Sequence, residues 1–193
     1  VGFLADELLV IDVEATCWQG PPPPGEAAEI IQIGLCRLNL RTLKRVEKAS
    51  ILIRPKSSIS DFCTKLTGIT PEMVASAGTL EDALHALRAH HVHRDRLWAS
   101  WGDYDRKQFE RDCARFGLKY PFGPRHLNVK TLFSLAMGLP RELGLDEAFQ
   151  FLNWKMEGVH HRGDDDAWNI AGILAFLIGK MRSGQGEGHV GRT

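Results

Sequence analysis

The sequence predicts a mixed α/β domain in which helices flank a central sheet. Three apolar strand patterns lie before residue 55, helical patterns dominate from residue 60 onward, and one further strand pattern lies between two helical stretches. Strands that come first, followed by interleaved helices without an internal repeat, predict a mixed sheet with helices packed against it.

Length and hydrophobic content are consistent with one domain, and the balanced charge gives no sign of a nucleic-acid-binding surface. The 193 residues are 44% hydrophobic, which is enough to bury one complete core. Lys and Arg together number 24, as do Asp and Glu, so any nucleic-acid binding must come from a local patch. We expect a single domain over residues 1–182 and a disordered tail over residues 183–193, where a Ser-Gly-Gln-Gly run ends the helical pattern.

The first predicted strand, residues 8–14, carries two carboxylates in an otherwise apolar run. Because side chains alternate along a strand, Asp12 and Glu14 point to the same face. Two like charges at the end of a buried strand are costly unless a cation or hydrogen-bond donors compensate, so the pair favours a hard metal ion with oxygen ligands. The alternative is a strand end at which both acids reach solvent.

The next segments predict a loop and two strands. Four consecutive prolines at 21–24 cannot join a ladder or a helix interior and indicate a surface loop. Apolar runs predict strands over 30–36 and 50–54, joined by a hairpin at about 39–43. The first three strands are therefore predicted to form an antiparallel meander.

Helix start and stop signals divide the rest of the chain. Ser60-Asp61 and Thr70-Pro71-Glu72 predict two short helices separated by Gly68. A capping-box pattern at 79–82 starts a helix that ends at about residue 91, and a strand follows over 97–101. Further helices are predicted over 105–116, 128–137 and 145–152, and from about 164 onward.

The four cysteines lack CxxC spacing and lie within or next to apolar segments. Reduced and mostly buried thiols predict an intracellular protein, which we place in the cytoplasm. No apolar run reaches the roughly 20 residues of a membrane span, and residues 1–7 lack a signal-peptide pattern. We therefore expect no membrane partner, and the sequence does not indicate protein partners.

Further acids lie where predicted helices begin. Asp103 and Asp105 come between a strand and a helix, and the last helix begins with Asp164-Asp165-Asp166 directly after His160-His161-Arg162-Gly163. Helix dipoles and free backbone amides favour anions at such positions. Because acids in a first turn can also be simple stabilising caps, their position alone leaves both interpretations open.

Order and spacing together point to a family. Asp12-x-Glu14, Tyr104-Asp105, and His161 five residues before Asp166 resemble the three motifs of the DEDDh 3′–5′ exonuclease superfamily. More narrowly, the runs at 12–18, 29–31 and 60–70 are similar to the enhanced-RNAi (ERI) exoribonuclease subfamily. The similarity extends over about residues 8–182 and implies an RNase H-like exonuclease fold.

The resemblance implies a metal-dependent 3′–5′ exoribonuclease that releases nucleoside 5′-monophosphates from single-stranded 3′ ends or overhangs. Its substrate is RNA or another single-stranded nucleic acid with a free 3′ end. Two Mg²⁺ or Mn²⁺ ions would stabilise charge on the attacking and leaving oxygens, which accounts for a group of four acids. The expected metal ligands are Asp12, Glu14, Asp105 and Asp166, with Asp103 as an alternative to Asp105.

His161 is the expected general base, because an unperturbed imidazole pKa of about 6.5 suits proton acceptance at neutral pH. His160 is the neighbouring alternative, but it lies six residues before Asp166 rather than five. Glu14 is also expected to contact the attacking water. The resemblance further implies base stacking by Phe62 and Tyr104, a wedge formed by Leu66 and Thr67, and ribose contacts from the backbone at Ala15 and Thr16.

Two other functions stay open. One is an exonuclease that prefers DNA or very short oligonucleotides, and the other is a catalytically silent RNA-binding module that kept the fold. The run His90-His91-x-His93 has conceivable metal-ligand spacing, but beside two arginines at a helix end it favours a solvated cationic terminus. We expect no second metal site there.

Overall fold

The computed structural model describes residues 6–90 and 97–187. These residues form five strands and seven helices. The elements, in chain order, are β1 (Glu7–Ala15), β2 (Ile30–Asn39), β3 (Arg45–Leu52), α1 (Asp61–Thr67), α2 (Pro71–Ala75), α3 (Leu80–His90), β4 (Trp98–Ser100), α4 (Tyr104–Phe116), β5 (His126–Asn128), α5 (Val129–Ala136), α6 (Leu145–Phe151) and α7 (Gly163–Glu187).

The strands form one mixed sheet in the order β3-β2-β1-β4-β5. The first three strands make the predicted antiparallel meander, and β4 and β5 continue the sheet in parallel on the other side of β1. The predicted fold class, a mixed sheet with antiparallel first strands and flanking helices, is confirmed. β1 is consequently the central strand.

The side chains of β1 alternate between two apolar cores, as the two-residue period of a strand requires. Leu8 and Val10 pack in a core that includes residues of α5, α6 and α7. Leu9, Ile11 and Val13 pack in a second core with residues of α3 and α4. Because both faces of β1 are buried, its carboxyl end holds Asp12 and Glu14 in a rigid position.

One predicted strand has the wrong bounds, and one strand was not predicted. β3 begins at Arg45, five residues before the predicted start at 50, and ends at Leu52 rather than 54. It lies at the sheet edge and alternates half-buried with exposed residues, so its first half lacks an apolar run. β5 was not predicted, since its three residues are only half-buried and too few to show a period.

The structure also corrects the predicted end of the last helix. α7 continues to Glu187, five residues beyond the predicted end at 182. The Ser183 hydroxyl donates to the carbonyl oxygens of Gly179 and Lys180. A helix that is already formed can continue through a glycine at a cost of about 1 kcal/mol, so the Ser-Gly-Gln-Gly run does not stop it. Residues 188–193 of the predicted tail lie outside the described residues.

None of the helices in the described part of the chain combines the length and the apolar character needed to cross a bilayer.

The first turn of α7 packs directly on β2 at Gly34. A Cβ on Gly34 would overlap backbone atoms of Gly163 and Asp164. The backbone N–H of Gly163 also donates to Oε1 of Gln32 at 2.9 Å. Because Gly34 pairs with Asp12 across the β1–β2 ladder, this close approach brings the start of α7 beside Asp12.

We expect Gly34→Ala to lower the free energy of unfolding by about 3 kcal/mol or more, because the added methyl group meets backbone that cannot rotate away. The matched control is Gly184→Ala in α7, where a Cβ meets nothing within 4 Å. This control should be neutral or stabilising by up to about 1 kcal/mol. Urea unfolding measures both variants, and wild-type stability in Gly34→Ala would contradict the close packing.

Candidate active site

Three carboxylates meet at the carboxyl end of β1. Asp12 and Glu14 from β1 and Asp166 from the first turn of α7 each place an oxygen within 4.8 Å of the others. Glu14 is only 8% exposed and Asp166 only 3% exposed. The structure thus brings together three of the four predicted metal ligands.

Asp105, the fourth predicted ligand, lines one cavity together with Asp12, Glu14 and Asp166, and a hydrogen bond anchors it to the sheet. Its Oδ1 accepts a hydrogen bond of 2.9 Å from the backbone N–H of Val13. Asp103, the alternative ligand, instead lies 3.4 Å from Arg106 and 3.8 Å from His126 and does not line the cavity. The structure therefore places Asp105, and not Asp103, at the acidic centre.

Burial and the charges of neighbouring acids raise the pKa values of Asp12, Glu14 and Asp105. Burial is the largest cause for Glu14, and the charges of Asp166 and Asp105 add to it, which raises the pKa of Glu14 to about 8. Burial, followed by the same two aspartates and Glu14, raises the pKa of Asp12 well above its usual range. Burial raises the pKa of Asp105 to about 6, although its hydrogen bonds oppose the change. Such a group of acids is costly to ionise without a cation.

Two consecutive histidines face Asp166. Nδ1 of His160 lies 3.1 Å from both carboxylate oxygens of Asp166. The backbone N–H of His161 donates to Oδ2 of the same carboxylate at 2.8 Å, and His161 has a φ of 63°, which is uncommon for a residue other than glycine. Both imidazoles line the cavity, but the ring in contact with Asp166 belongs to His160.

The two imidazoles differ in their affinity for protons. The hydrogen bond to Asp166 raises the pKa of His160, whereas burial and then the neighbouring His160 lower the pKa of His161. A lowered pKa keeps the His161 imidazole neutral at neutral pH, and the neutral form is the one that accepts a proton.

The acids and histidines line one cavity of about 550 Å³. Three predicted substrate contacts, Ala15, Leu66 and Tyr104, also line it, and the side chains of Leu66 and Tyr104 are exposed to solvent. The cavity can therefore place an aromatic face and an apolar side chain beside the carboxylates.

Three other predicted substrate contacts do not line the cavity. Thr67 is buried, and its hydroxyl donates to the Cys63 carbonyl and accepts from the backbone N–H of Ile69. Thr16 is also buried, with its hydroxyl bonded to backbone groups of the 27–29 segment. Phe62 lies one turn before Leu66 on α1 and is exposed. The two threonine side chains therefore serve the fold, and the backbone N–H of Thr16 is also used, since it donates to the Glu29 carbonyl at 2.8 Å.

Several cavity residues were not anticipated from the sequence. The indole N–H of Trp101 donates to the Leu143 carbonyl at 3.1 Å, which ties the end of β4 to the segment before α6. Asp146, in the first turn of α6, lines the cavity, and its charge acts on both histidines. An acid in a first turn is visible in the sequence, but nothing local shows that this helix start lies beside His160.

All four cysteines are free, as expected for reduced thiols. The expectation that His90-His91-x-His93 forms no metal site falls mainly on residues 91–96, which lie outside the described residues.

A mixed sheet with buried acids at the end of its central strand defines the class of RNase H-like exonucleases. The family model described as Exonuclease (RNase_T) matches residues 9–174, and the chain belongs to this family. Within the family, the chain is 31% identical over 184 residues to human 3′-5′ exoribonuclease 1, covering 90% of this chain and 52% of that protein. It is 30% identical over 180 residues to human ERI1 exoribonuclease 3, covering 88% of this chain and 52% of that protein. The chain thus spans about half the length of these curated relatives.

Solved structures of exonucleases have the same fold as this chain. The nuclease domain of 3′hExo, a DEDDh family member bound to rAMP, superposes with a TM-score of 0.80 at 30% identity, covering 91% of this chain and 92% of that one. A 3′-exonuclease in a structure of 3′-end specific recognition of histone mRNA stem-loop gives a TM-score of 0.81 at 28% identity, covering 92% and 83%. The resemblance to DEDDh exonucleases of the ERI group is confirmed.

Proposed function

We propose that the chain is a metal-dependent 3′–5′ exoribonuclease that releases nucleoside 5′-monophosphates from single-stranded 3′ ends or overhangs of RNA. The observation that carries this proposal is the group of four acids, Asp12, Glu14, Asp105 and Asp166, that converge on one cavity. Relatives named 3′-5′ exoribonuclease support the direction and the substrate class. The free cysteines fit a reducing compartment, and we propose the cytoplasm.

The residues present fit divalent cations with oxygen ligands. Carboxylates are hard oxygen donors, and in the described part of the chain no Lys or Arg forms an ion pair with Asp12, Glu14 or Asp166. We propose that these three side chains hold two Mg²⁺ or Mn²⁺ ions, and that Asp105 acts through the outer coordination shell. When bound, the ions neutralise the negative charge that develops on the attacking and leaving oxygens.

His161 and Glu14 act on the attacking water in this proposal. Glu14 orients the water, and the neutral His161 imidazole takes its proton as the oxygen attacks phosphorus. The bond that breaks joins phosphorus to the 3′ oxygen of the preceding nucleotide, which takes a proton from solvent water to become the new 3′ hydroxyl, and the protonated His161 returns its proton to solvent. The terminal nucleotide departs with its 5′ phosphate, and the shortened strand has a new 3′ end.

We expect His161→Ala to lower kcat by about 100-fold or more, because a positioned general base contributes about 10²- to 10⁴-fold. His85→Ala, at an exposed position on α3, is the matched control and should keep wild-type kcat. Steady-state hydrolysis of a fluorescent RNA measures both variants, with circular dichroism to verify folding. A wild-type rate in His161→Ala would remove His161 from the role of base.

The terminal base is proposed to stack on Tyr104, with Leu66, Phe62 and the end of α1 on the other side. We expect Tyr104→Ala to raise KM by about 5- to 100-fold with a smaller change in kcat, since stacking contributes about 1–3 kcal/mol per base. Tyr104→Phe should retain a normal KM. Phe151→Ala is a matched control, because Phe151 and Tyr104 are both 51% exposed. An unchanged KM in Tyr104→Ala would place the base elsewhere.

The decisive experiment compares 5′-labelled RNA and DNA of the same sequence, each with Mg²⁺, Mn²⁺ or EDTA. We expect a ladder of products shortened from the 3′ end of RNA with either metal, and none with EDTA. Faster shortening of DNA would favour the DNA-directed alternative. RNA binding without any product would instead favour the silent RNA-binding module.

A further inference from the structure

A second set of metal-ligating groups lies directly beside the acids. His160, His161 and Asp166 each place a ligand atom within 4.8 Å of the others. Only Asp166 belongs to both sets. The first set offers oxygen atoms alone, whereas this one offers two imidazole nitrogens and one carboxylate oxygen.

Local contacts bring this second set together. The rings of His160 and His161 stack with centroids 4.0 Å apart and planes 24° apart, so one ring has to rotate about its side-chain bonds to direct both imidazole nitrogens at one ion. His160 Nδ1 lies 3.1 Å from both oxygens of Asp166, and the His161 N–H donates to the same carboxylate. The positive φ of His161 turns the chain so that two consecutive side chains face one carboxylate. Non-glycine residues in this conformation persist where their surroundings hold them, and they concentrate at ligand sites.

The types of ligand select the metal. Mg²⁺ prefers an octahedral set of oxygens, whereas Zn²⁺ and Co²⁺ bind imidazole and carboxylate together. Bonds of about 2.1 Å in a tetrahedral set put ligand atoms about 3.4 Å apart, so atoms that now lie within 4.8 Å of one another have to approach by up to about 1.4 Å. Asp146 lines the same cavity and adds negative charge on the side of both imidazoles.

We propose that His160, His161 and Asp166 bind a divalent transition metal of the zinc type at a site distinct from the all-carboxylate centre. Bound Zn²⁺ engages the His161 imidazole and the Asp166 carboxylate, both of which the proposed hydrolysis requires, so it inhibits the enzyme. This inhibition rests on the proposed function, whereas the binding does not. His160 is the ligand that separates the two sites, since the proposed hydrolysis does not use it.

Cobalt provides a direct test of binding. Metal-free protein titrated with Co²⁺ is expected to develop the visible absorption of nitrogen-ligated, low-coordinate Co²⁺ with a stoichiometry of one. One equivalent of Zn²⁺ should abolish the band, while an excess of Mg²⁺ should leave most of it. His160→Ala should lose the band and His85→Ala should keep it. A band that survives in His160→Ala, or no band in the wild type, would overturn the site.

Hydrolysis of RNA tests the consequence. With Mg²⁺ fixed, micromolar Zn²⁺ is expected to inhibit the wild type, and His160→Ala, measured relative to its own rate without Zn²⁺, should need at least 10-fold more Zn²⁺ for the same fractional inhibition. Equal sensitivity of the two proteins would overturn inhibition through this site. If neither protein hydrolyses RNA but the cobalt band depends on His160, the proposed function fails and the metal site stands.

Discussion

Asp12→Asn is expected to lower kcat/KM for RNA by at least about 1000-fold and, at the same time, to stabilise the metal-free protein at pH 8. The loss of activity follows because a proposed metal ligand with a negative charge is replaced by a neutral amide, and a 1000-fold loss corresponds to about 4 kcal/mol of transition-state stabilisation. The gain in stability follows because burial disfavours the ionised Asp12 carboxylate, and the charges of Asp105, Asp166 and Glu14 add repulsion. An inactive variant that melts at a higher temperature is therefore the expected combination.

The matched control for this substitution is Asp103→Asn. Asp103 is the same residue type, lies two positions from Asp105, and does not line the cavity. Its rate should stay within about 2-fold of wild type, since exposed ion pairs of this kind contribute little. Kinetics on labelled RNA and thermal unfolding in EDTA decide the matter. Loss of activity in Asp103→Asn together with an active Asp12→Asn would contradict the proposed acidic centre.

The central strand was predictable because alternation is a local property. The pattern over residues 8–14 correctly put Asp12 and Glu14 on one face of β1 and indicated that both its faces are buried. The order of the acidic motifs then indicated that Asp105 and Asp166 come to the same place, which the fold achieves through the parallel β4 and the start of α7.

The contacts that choose between neighbouring residues were not predictable in this way. Asp105 differs from Asp103 through a hydrogen bond to Val13, across 92 positions of the chain. The spacing of the motif points to His161, but it does not show that His160 is the ring against Asp166. That arrangement depends on the positive φ of His161, a conformation that few residues other than glycine adopt and that the sequence does not locate.

A motif match also does not separate side-chain roles from backbone roles. Thr67 belongs to the run at 60–70 that resembles the ERI subfamily, yet its side chain caps the end of α1 and is buried. The bounds of edge strand β3 were also not predictable from the local sequence pattern. Where residues are only partly buried, polar and apolar types mix and the strand period weakens.

The metal-free protein is expected to lose stability as pH rises from about 4.5 to about 8, and divalent metal is expected to restore it. The pKa of Glu14 in the folded protein is about 8, above its ordinary value of 4.5. A group with a raised folded-state pKa holds its proton more tightly when folded, so its contribution is complete below pH 4.5 and is lost as pH rises through 8. The change for Glu14 is at most about 5 kcal/mol, and Asp12 acts with the same sign.

Metal should reverse this trend because it binds the ionised acids. Ligand that binds only the folded state stabilises it by mass action, so millimolar Mg²⁺ or Mn²⁺ should raise Tm strongly at pH 8 and little at pH 5. Acids whose folded-state pKa is lowered, such as Asp165 and Glu157, lose their stabilisation only as pH falls below about 4, which keeps their effect out of this window. Thermal unfolding from pH 5 to pH 9, in EDTA and in Mg²⁺, measures how Tm depends on pH with and without metal.

Glu14→Gln separates the acidic centre from general effects of pH. The variant keeps a side chain of the same size but cannot ionise, so its metal-free Tm should fall less between pH 5 and pH 8, and Mg²⁺ should raise it less. Glu81→Gln, at an exposed position in the first turn of α3, should behave as the wild type does. If Glu14→Gln kept the full pH dependence and the full response to Mg²⁺, the buried acids would not be the groups that couple folding to metal.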